Sequence, residues 1–414
     1  MEFVIEFFSI NAKFVEAYIY GAIGERRMLI MNRKAISGII ILTMLLTGVL
    51  TLAFNVQPVK AWTGTVYIRA DGSVDPPTAP ISTVDNITYT FTSNIYDEIV
   101  VERSSIVIDG NGYTVQGTGA FLSMGIHLSG IYNATIQNTN IEYFDFGIGL
   151  LSSSSNKISG NTFLGCSLLV IDSYGNVVTD NLVNGKPLVY LEGVSDHVVV
   201  DAGQVILVNC NRIRVENLNI SHTTVGVQLL NSNDNIIVGN NITENNWEGI
   251  SLRHSSTNDT LYGNNITNNM YGICLSSYSD NNVISGNGVA NNSQYGIGLD
   301  FSSNNRIVGN CLIANHFDGI HLYNSSDNSI AGNHITNNMY SGIYLYHSSN
   351  NVIYHNNFID NTNQVALNSE SVNDWDDGYP SGGNYWSDYT GVDADGDGIG
   401  DSPYGIYGNN TDRY

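Results

Sequence analysis

The chain of 414 residues is long enough for two or three ordinary domains, and it carries a formal net charge of −23. Six Lys or Arg and four Asp or Glu fall in residues 1–61, which leaves nine against 34 in the remainder, a net of −25. So acidic a surface repels phosphate backbones and anionic headgroups, excluding nucleic acid and anionic membrane as partners and suiting divalent cations or neutral sugars.

Taken in chain order, the first feature is an export signal. Arg33 and Lys34 precede an uncharged run from Ala35 to Phe54, and Val59-x-Ala61 closes the segment with the small residues that signal peptidase reads. Residues 1–61 are therefore expected to be removed, with Trp62 as the first mature residue and the 30 residues before Met31 reflecting a start codon set too early. If the run stays uncleaved, its twenty apolar residues are enough to span a bilayer, and that is the one membrane contact expected.

Residues 62–103 alternate polar and apolar side chains, as in "ITYTFTSNIYDEIVVE", without a longer beat, and are expected to form an N-terminal cap. From Ser104 ("SSIVIDGNGYTVQGTG") a beat begins, with coils at Gly147-Ile148 and Gly160-Asn161. It breaks between Asn181 and Asn217, where 36 residues stand in place of 23, which predicts an insertion that projects from a corner or makes an irregular coil. From Gly226 the beat is regular: Gly226, Gly249, Gly272, Gly296, Gly319 and Gly342 are separated by 23, 23, 24, 23 and 23 residues.

Within each beat three short apolar stretches alternate with period two, the signature of strands. One column holds Ile250/Leu252, Ile273/Leu275, Ile297/Leu299, Ile320/Leu322 and Ile343/Leu345; a second holds Ile237, Leu261, Ile284, Ile307, Ile330 and Ile353; a third holds Ile242, Ile266, Val289, Leu312, Ile335 and Phe358. No single coil can bury its apolar side alone, so the coils must stack, giving an all-β, single-stranded right-handed parallel β-helix over residues 104–360. Two Asn columns accompany the strands, Asn240, Asn264, Asn287, Asn310, Asn333 and Asn356, and Asn235, Asp259, Asn282, Asn305, Asn328 and Asn351. Asn suits corners because it tolerates left-handed backbone and its amide bonds to neighbouring backbone and to its own kind up the stack.

Residues 361–414 turn to Gly, Asp and aromatics and are expected to form a C-terminal cap. Asp393, Asp395, Asp397, Gly398, the Ile399 carbonyl and Asp401 follow the spacing of a calcium loop, with Tyr404 at the twelfth position, so that water or one of Asp374, Asp376 and Asp377 must complete a calcium site. The cysteines, Cys166, Cys210, Cys274 and Cys311, match neither zinc nor redox spacings and are expected to be free or buried thiols.

These stretches, above all "IVIDGNGYTVQG", "GKPLVYLEG" with "AGQVILVNC", the "GNNIT" coils and "GYPSGGNYWSDYTGVDADGDGIGDSPY", resemble the NosD-like secreted β-helix proteins, part of the wider class of carbohydrate-binding and sugar-hydrolysing β-helices. The resemblance covers residues 64–414 and implies the fold. Because the family's namesake is linked to copper delivery for nitrous oxide reductase, it also implies copper handling, for which Cys311 and His334, outward on neighbouring coils, are the candidate ligands.

Three functional expectations follow. The aromatics just before the Gly of successive coils, Trp247, Tyr271, Tyr295, Phe317 and Tyr340, make either a ribbon on which an extracellular polysaccharide or cell-surface glycan stacks, with Glu248 and Asp318 alongside, or a shield over the corner of the prism. A lyase, epimerase or hydrolase would draw on Glu248, Asp300 and Asp318, acids near one edge of the Gly-Ile strand that otherwise read as solvated. "SDHVVVD", with Asp196, His197 and Asp201, is similar to the Asp-Pro-His of alginate epimerases but lacks its Pro.

Overall fold

Coils of 23 residues stack only if each strand falls in register with its successor, and they do. Val227, Ile250, Ile273, Ile297, Ile320, Ile343 and Val365 stand opposite one another in unbroken parallel pairing. The computed structural model describes residues 63–368 and 370–414; the export segment and the start at Trp62 lie outside the described residues. The three apolar columns point inward and are essentially without exposure, forming one continuous core. The fold is an all-β parallel β-helix with three walls, here called the Gly-Ile wall, the second wall (the Ile237 column) and the third wall (the Ile242 column).

Glycine recurs on the Gly-Ile wall because neighbouring coils leave no room for a side chain there. A β-carbon on Gly272 would stand 2.3 Å from the Gly296 carbonyl oxygen, below any contact that real side chains make.

The Asn columns hold the corners by hydrogen bonding. Both the backbone N–H and the Nδ2 of Asn264 donate to Asn287 Oδ1 (3.0 and 2.9 Å), and Nδ2 also reaches the Ile237 carbonyl. This pairs polar groups that the turn strips from the ladder and that burial would otherwise leave unsatisfied. The left-handed backbone falls one residue earlier than expected, on Asp234, Asn258, Asn281, Asn304, Asp327 and Asn350 (φ 57–60°) and on Gly239, Gly263, Gly286, Gly309 and Gly332 (φ 60–65°). A third ladder, Asn245 through Asn361, and a Ser ladder, Ser232 through Ser371, run beside the first two. Cys210 occupies the Ser ladder and Cys166 is buried; all four cysteines are free thiols.

The interval that breaks the beat is an irregular coil, and it also turns the sheet around. Asn184-Gly185, at φ 51° and 81°, makes a two-residue hairpin that pairs Lys186-Pro187 antiparallel to Leu182-Val183. The chain then continues parallel to the new strand, so one 13-stranded sheet runs through both halves with its strand direction reversed at this point. The core changes side with it. Leu188, Ile206, Val208 and Leu230 belong to the N-terminal core, whereas Val205, Leu207, Val227 and Leu229 on the same strands belong to the C-terminal one. The helix is thus two stacks sharing a sheet. The N-terminal Gly-Ile sheet ends at the edge strand Leu168–Ile171, whose bare backbone is covered by the side-chain amides of Gln204 and Gln228.

Both terminal segments join the ladder more closely than the word cap implies. Val66–Ile68 pairs parallel with Ile99–Val101, and Thr88–Phe91 with Val107–Asp109, so stacking begins at Val66 rather than Ser104. At the other end Asn363–Leu367 and Tyr385–Trp386 extend two walls, and the ladders finish on Asn384, Asn410 and Asp412. Phe358, Trp386 and Tyr404, stacked at 4.5 and 4.3 Å, close the end of the prism.

Candidate functional site

The outward side of the Gly-Ile wall in the C-terminal stack gathers the side chains of greatest chemical interest. Register sorts the five expected ribbon aromatics into two sets. Tyr271 and Tyr295 lie two positions before the inward Ile of their coils, level with Glu248, Asp318 and Ser341, whereas Trp247, Phe317 and Tyr340 lie three before. Trp247, Phe317 and Tyr340 stand in the bend that leads into the strand, one residue before the position of Tyr271 and Tyr295, so the five do not share one column.

They form a different one. Trp247, Tyr271 and Tyr295 touch in series (5.8 and 4.7 Å), and the series continues through His321 (4.7 Å) and Tyr344 (4.8 Å), both nearly parallel to their neighbours. At its other end Phe121 of the N-terminal stack lies 6.2 Å from Trp247, which also packs on Phe146, Leu169 and Val225. Trp247 is therefore in part junction packing. Phe317 and Tyr340 make a separate exposed pair with rings 4.6 Å apart and 3° from parallel, and Tyr323 and Tyr346 make another at 5.2 Å and 1°. Two successive coils thus carry three ring pairs abreast.

The acids do not act as a pair, and two of them are not solvated. Glu248 and Asp318 occupy the same position three coils apart, ~14 Å at the spacing of parallel strands, beyond the separations of ~5–9.5 Å that glycoside hydrolysis uses. Asp300 is exposed at the opposite edge of the strand. Glu248 is 5% exposed; its Oε1 accepts from Arg253 Nη2 at 2.7 Å, and its Oε2 is buried with no partner. Arg253 also donates to Ser251 Oγ, and the carboxylate beside it holds the guanidinium above its usual range. Asp318 has no exposure at all. Its Oδ2 takes the Nδ1–H of His321 at 2.8 Å and its other oxygen takes the Ser341 hydroxyl, which leaves His321 Nε2 as the free ring nitrogen between Tyr295 and Tyr344. His321, Tyr344, Tyr323, Tyr346 and Arg253 were not among the expected site residues. Their signal was the outward half of the repeats "GISLR", "GIHLY" and "GIYLY".

Elsewhere, Asp196 is spent on a surface ion pair with Arg212, and His197 and Asp201 are exposed. In the tail, the carboxylates of Asp393, Asp395 and Asp401 converge within 4.8 Å of one another, while Asp397 turns back to accept the Ile399 N–H. Hydrogen bonds from backbone N–H groups, first that of Gly398, hold the Asp393 carboxyl below the usual range. Asp376 is committed to Arg413 and Asp377 to Ser381, and neither joins the cluster.

Cys311 and His334 do stand opposite each other on adjacent strands of the third wall. Among the described residues no third His, Cys, Asp or Glu joins them, and burial pushes the Cys311 thiol up, away from the thiolate that copper prefers. The converging carboxylates of the tail are hard oxygen donors. The residues present do not fit a copper centre.

The chain was compared with known proteins. The family described as "Periplasmic copper-binding protein (NosD)" matches residues 82–316 and 271–391. No curated protein matches. Among solved structures, a variant of the periplasmic alginate epimerase AlgG is 16% identical, with a TM-score of 0.43 over 75% of this chain and 82% of that one. The A-module of the mannuronan C-5 epimerase AlgE6 from Azotobacter vinelandii is 14% identical, with a TM-score of 0.33 over 76% and 89%. The Dettilon tailspike protein is 16% identical, with a TM-score of 0.36 over 75% and 60%. At these levels the structural likenesses carry nothing about substrate. The two family matches together run from residue 82 to 391 on a parallel β-helical chain, and the protein belongs to the NosD family.

Proposed function

We propose that this is an exported glycan-binding protein that holds its ligand on the outward side of the Gly-Ile wall of the C-terminal stack. The observation that carries the reading is the unbroken series Trp247, Tyr271, Tyr295, His321 and Tyr344, with buried Glu248 and Asp318 beside it. Flat rings on successive coils offer apolar faces to pyranose rings, and the buried carboxylates of Glu248 and Asp318 hold Arg253 and His321 in place beside them as polar groups. Export follows from the Arg33-Lys34 start, the apolar run and Val59-x-Ala61. A calcium ion held by Asp393, Asp395 and Asp401 would fasten the tail. A glycan array probed with the purified protein tests the reading, and binding to no polysaccharide or surface glycan would end it.

A second reading rests on Asp318 and His321. A buried carboxylate that fixes the tautomer of a histidine and leaves Nε2 facing outward is the arrangement of a general base. On this reading the face belongs to a lyase or epimerase, with His321 taking a proton from the bound sugar. Mass analysis together with proton NMR of glycans bound in the array, incubated with the protein, separates the two: unchanged mass and stereochemistry favour binding alone.

A further inference from the structure

A well-formed cavity lies away from this face. It opens between the last coil of the third wall and the Asp-rich loop of the tail, with a volume of about 550 Å³, within the ~300–1,000 Å³ typical of small-ligand pockets. Tyr385 stands opposite Asn357 on the outward side of the wall, is 58% exposed and lines the opening. Trp386, next along the chain, turns the other way into the stack with Tyr404 that closes the prism.

The far wall is held in shape by its own contacts. The Tyr389 hydroxyl donates to the Ser402 carbonyl at 2.6 Å and accepts the Ser402 N–H at 3.3 Å. Its ring is clasped by Gly391 and Gly400, where a β-carbon would stand 2.0 and 2.3 Å from the hydroxyl oxygen. Only glycine lets the two backbones close on that ring.

The polar lining suits an uncharged ligand rich in hydroxyls. Ser387 Oγ already accepts from the Asp360 N–H and from Gln364 Nε2, so its own proton is left to donate. Asn357 is exposed and offers both a donor and an acceptor. No Lys or Arg lines the cavity, and its one histidine, His355, faces Asp377 at 3.5 Å and the Ser381 carbonyl at 2.9 Å. A uronate, sulfate or phosphate would find no Lys or Arg there to pair with.

We propose that this cleft is a second carbohydrate site, taking a neutral pyranose with its apolar face on Tyr385 and its hydroxyls on Ser387 and Asn357. It lies on a different wall from the Gly-Ile face and does not depend on the reading of that face.

The test is saturation-transfer NMR on the purified protein with methyl glycosides of mannose, glucose and galactose, and with methyl glucuronide as the anionic comparison. At least one neutral glycoside should bind and the glucuronide should not. Tyr385→Ala should weaken binding roughly tenfold, in line with ~0.5–1.5 kcal/mol for a ring contact; Tyr385→Phe should retain it, and Tyr132→Ala, an exposed ring of the N-terminal stack outside both sites, should leave it unchanged. The proposal is overturned if no neutral glycoside binds, if the glucuronide binds equally, or if Tyr132→Ala weakens binding as much as Tyr385→Ala does. A change in the thermal transition of Tyr385→Ala with undiminished binding would also overturn it, because the ring would then be structural.

Discussion

The ring of Tyr295 lies across Gly298 of its own coil, so close that a β-carbon on residue 298 would stand 2.2 Å from its Cε2. Glycine leaves the outward position of that coil empty, and Tyr295 fills it, bridging from Tyr271 to His321. Gly298→Ala should lift the ring and part it from His321. Because the displaced group is a half-buried side chain and not backbone, the cost in stability should stay below ~1.5 kcal/mol, while glycan affinity should fall about two- to tenfold, the worth of one aromatic contact. Titration of the variant against the best array ligand checks this; unchanged affinity would mean that the series need not be continuous.

Asp259 is the one acid in a column of asparagines. Its Oδ1 accepts from Asn235 at 2.7 and 2.9 Å as an Asn oxygen would, but its Oδ2 is buried with no partner, and burial pushes the carboxyl well above the usual range. The sign follows from linkage. A carboxyl raised in the folded state leaves stability fully present below its unfolded pKa of ~3.9, and that contribution is lost as pH climbs toward the folded value. Asp259→Asn should therefore stabilise the protein by at least about 1 kcal/mol at pH 7, since each pKa unit is worth ~1.4 kcal/mol, and the gain should vanish near pH 4 in thermal melts. An equal gain at both pH values would contradict the burial argument.

The Asp-rich loop makes a separate prediction. If Asp393, Asp395 and Asp401 hold calcium in the folded state alone, a hundredfold excess over the dissociation constant adds ~2.7 kcal/mol. Melting should rise on adding calcium, fall with chelator and cease to respond in Asp393→Asn with Asp401→Asn. Identical melts with calcium and with chelator would discard the site.

The junction between the stacks should be sensitive to Gln204. Its Oε1 accepts the Leu168 N–H at 3.2 Å and its Nε2 donates to the Leu168 and Val225 carbonyls at 2.7 and 3.0 Å, all without exposure. Gln204→Leu keeps the bulk but strands buried backbone groups at ~1–3 kcal/mol each, so the thermal midpoint should drop by several degrees. A midpoint within one degree of wild type would show that water or relaxation replaces the clamp.

The stacked core was legible because a period of 23 residues with inward Ile and Leu is a local pattern that burial alone enforces. The junction was not, although Asn184-Gly185 between apolar runs is a strong hairpin signal; the interval was read by its length against the beat. The expected column of aromatics differs from the observed series because counting residues before the Gly mixes two positions one residue apart, one in the bend and one at the start of the strand. His321 and Tyr344 were visible in the strands but counted only as alternation. That Asp318 would be buried beneath His321 and Ser341 depends on side chains from two coils closing over it, which no single repeat records.

The central claim is that the outward rings of the C-terminal stack bind glycan and do not merely shield its corner. Trp247 is a poor test because it also packs the junction, whereas Tyr295 and Tyr344 clasp His321 and leave the Ile and Leu core untouched. The measurement is affinity electrophoresis of Tyr295→Ala/Tyr344→Ala beside wild type, through gels carrying the array's best polysaccharide, with a thermal melt of each. The account predicts that the double variant keeps its strand-type circular dichroism and cooperative melt but migrates without retardation; retardation equal to wild type would contradict it.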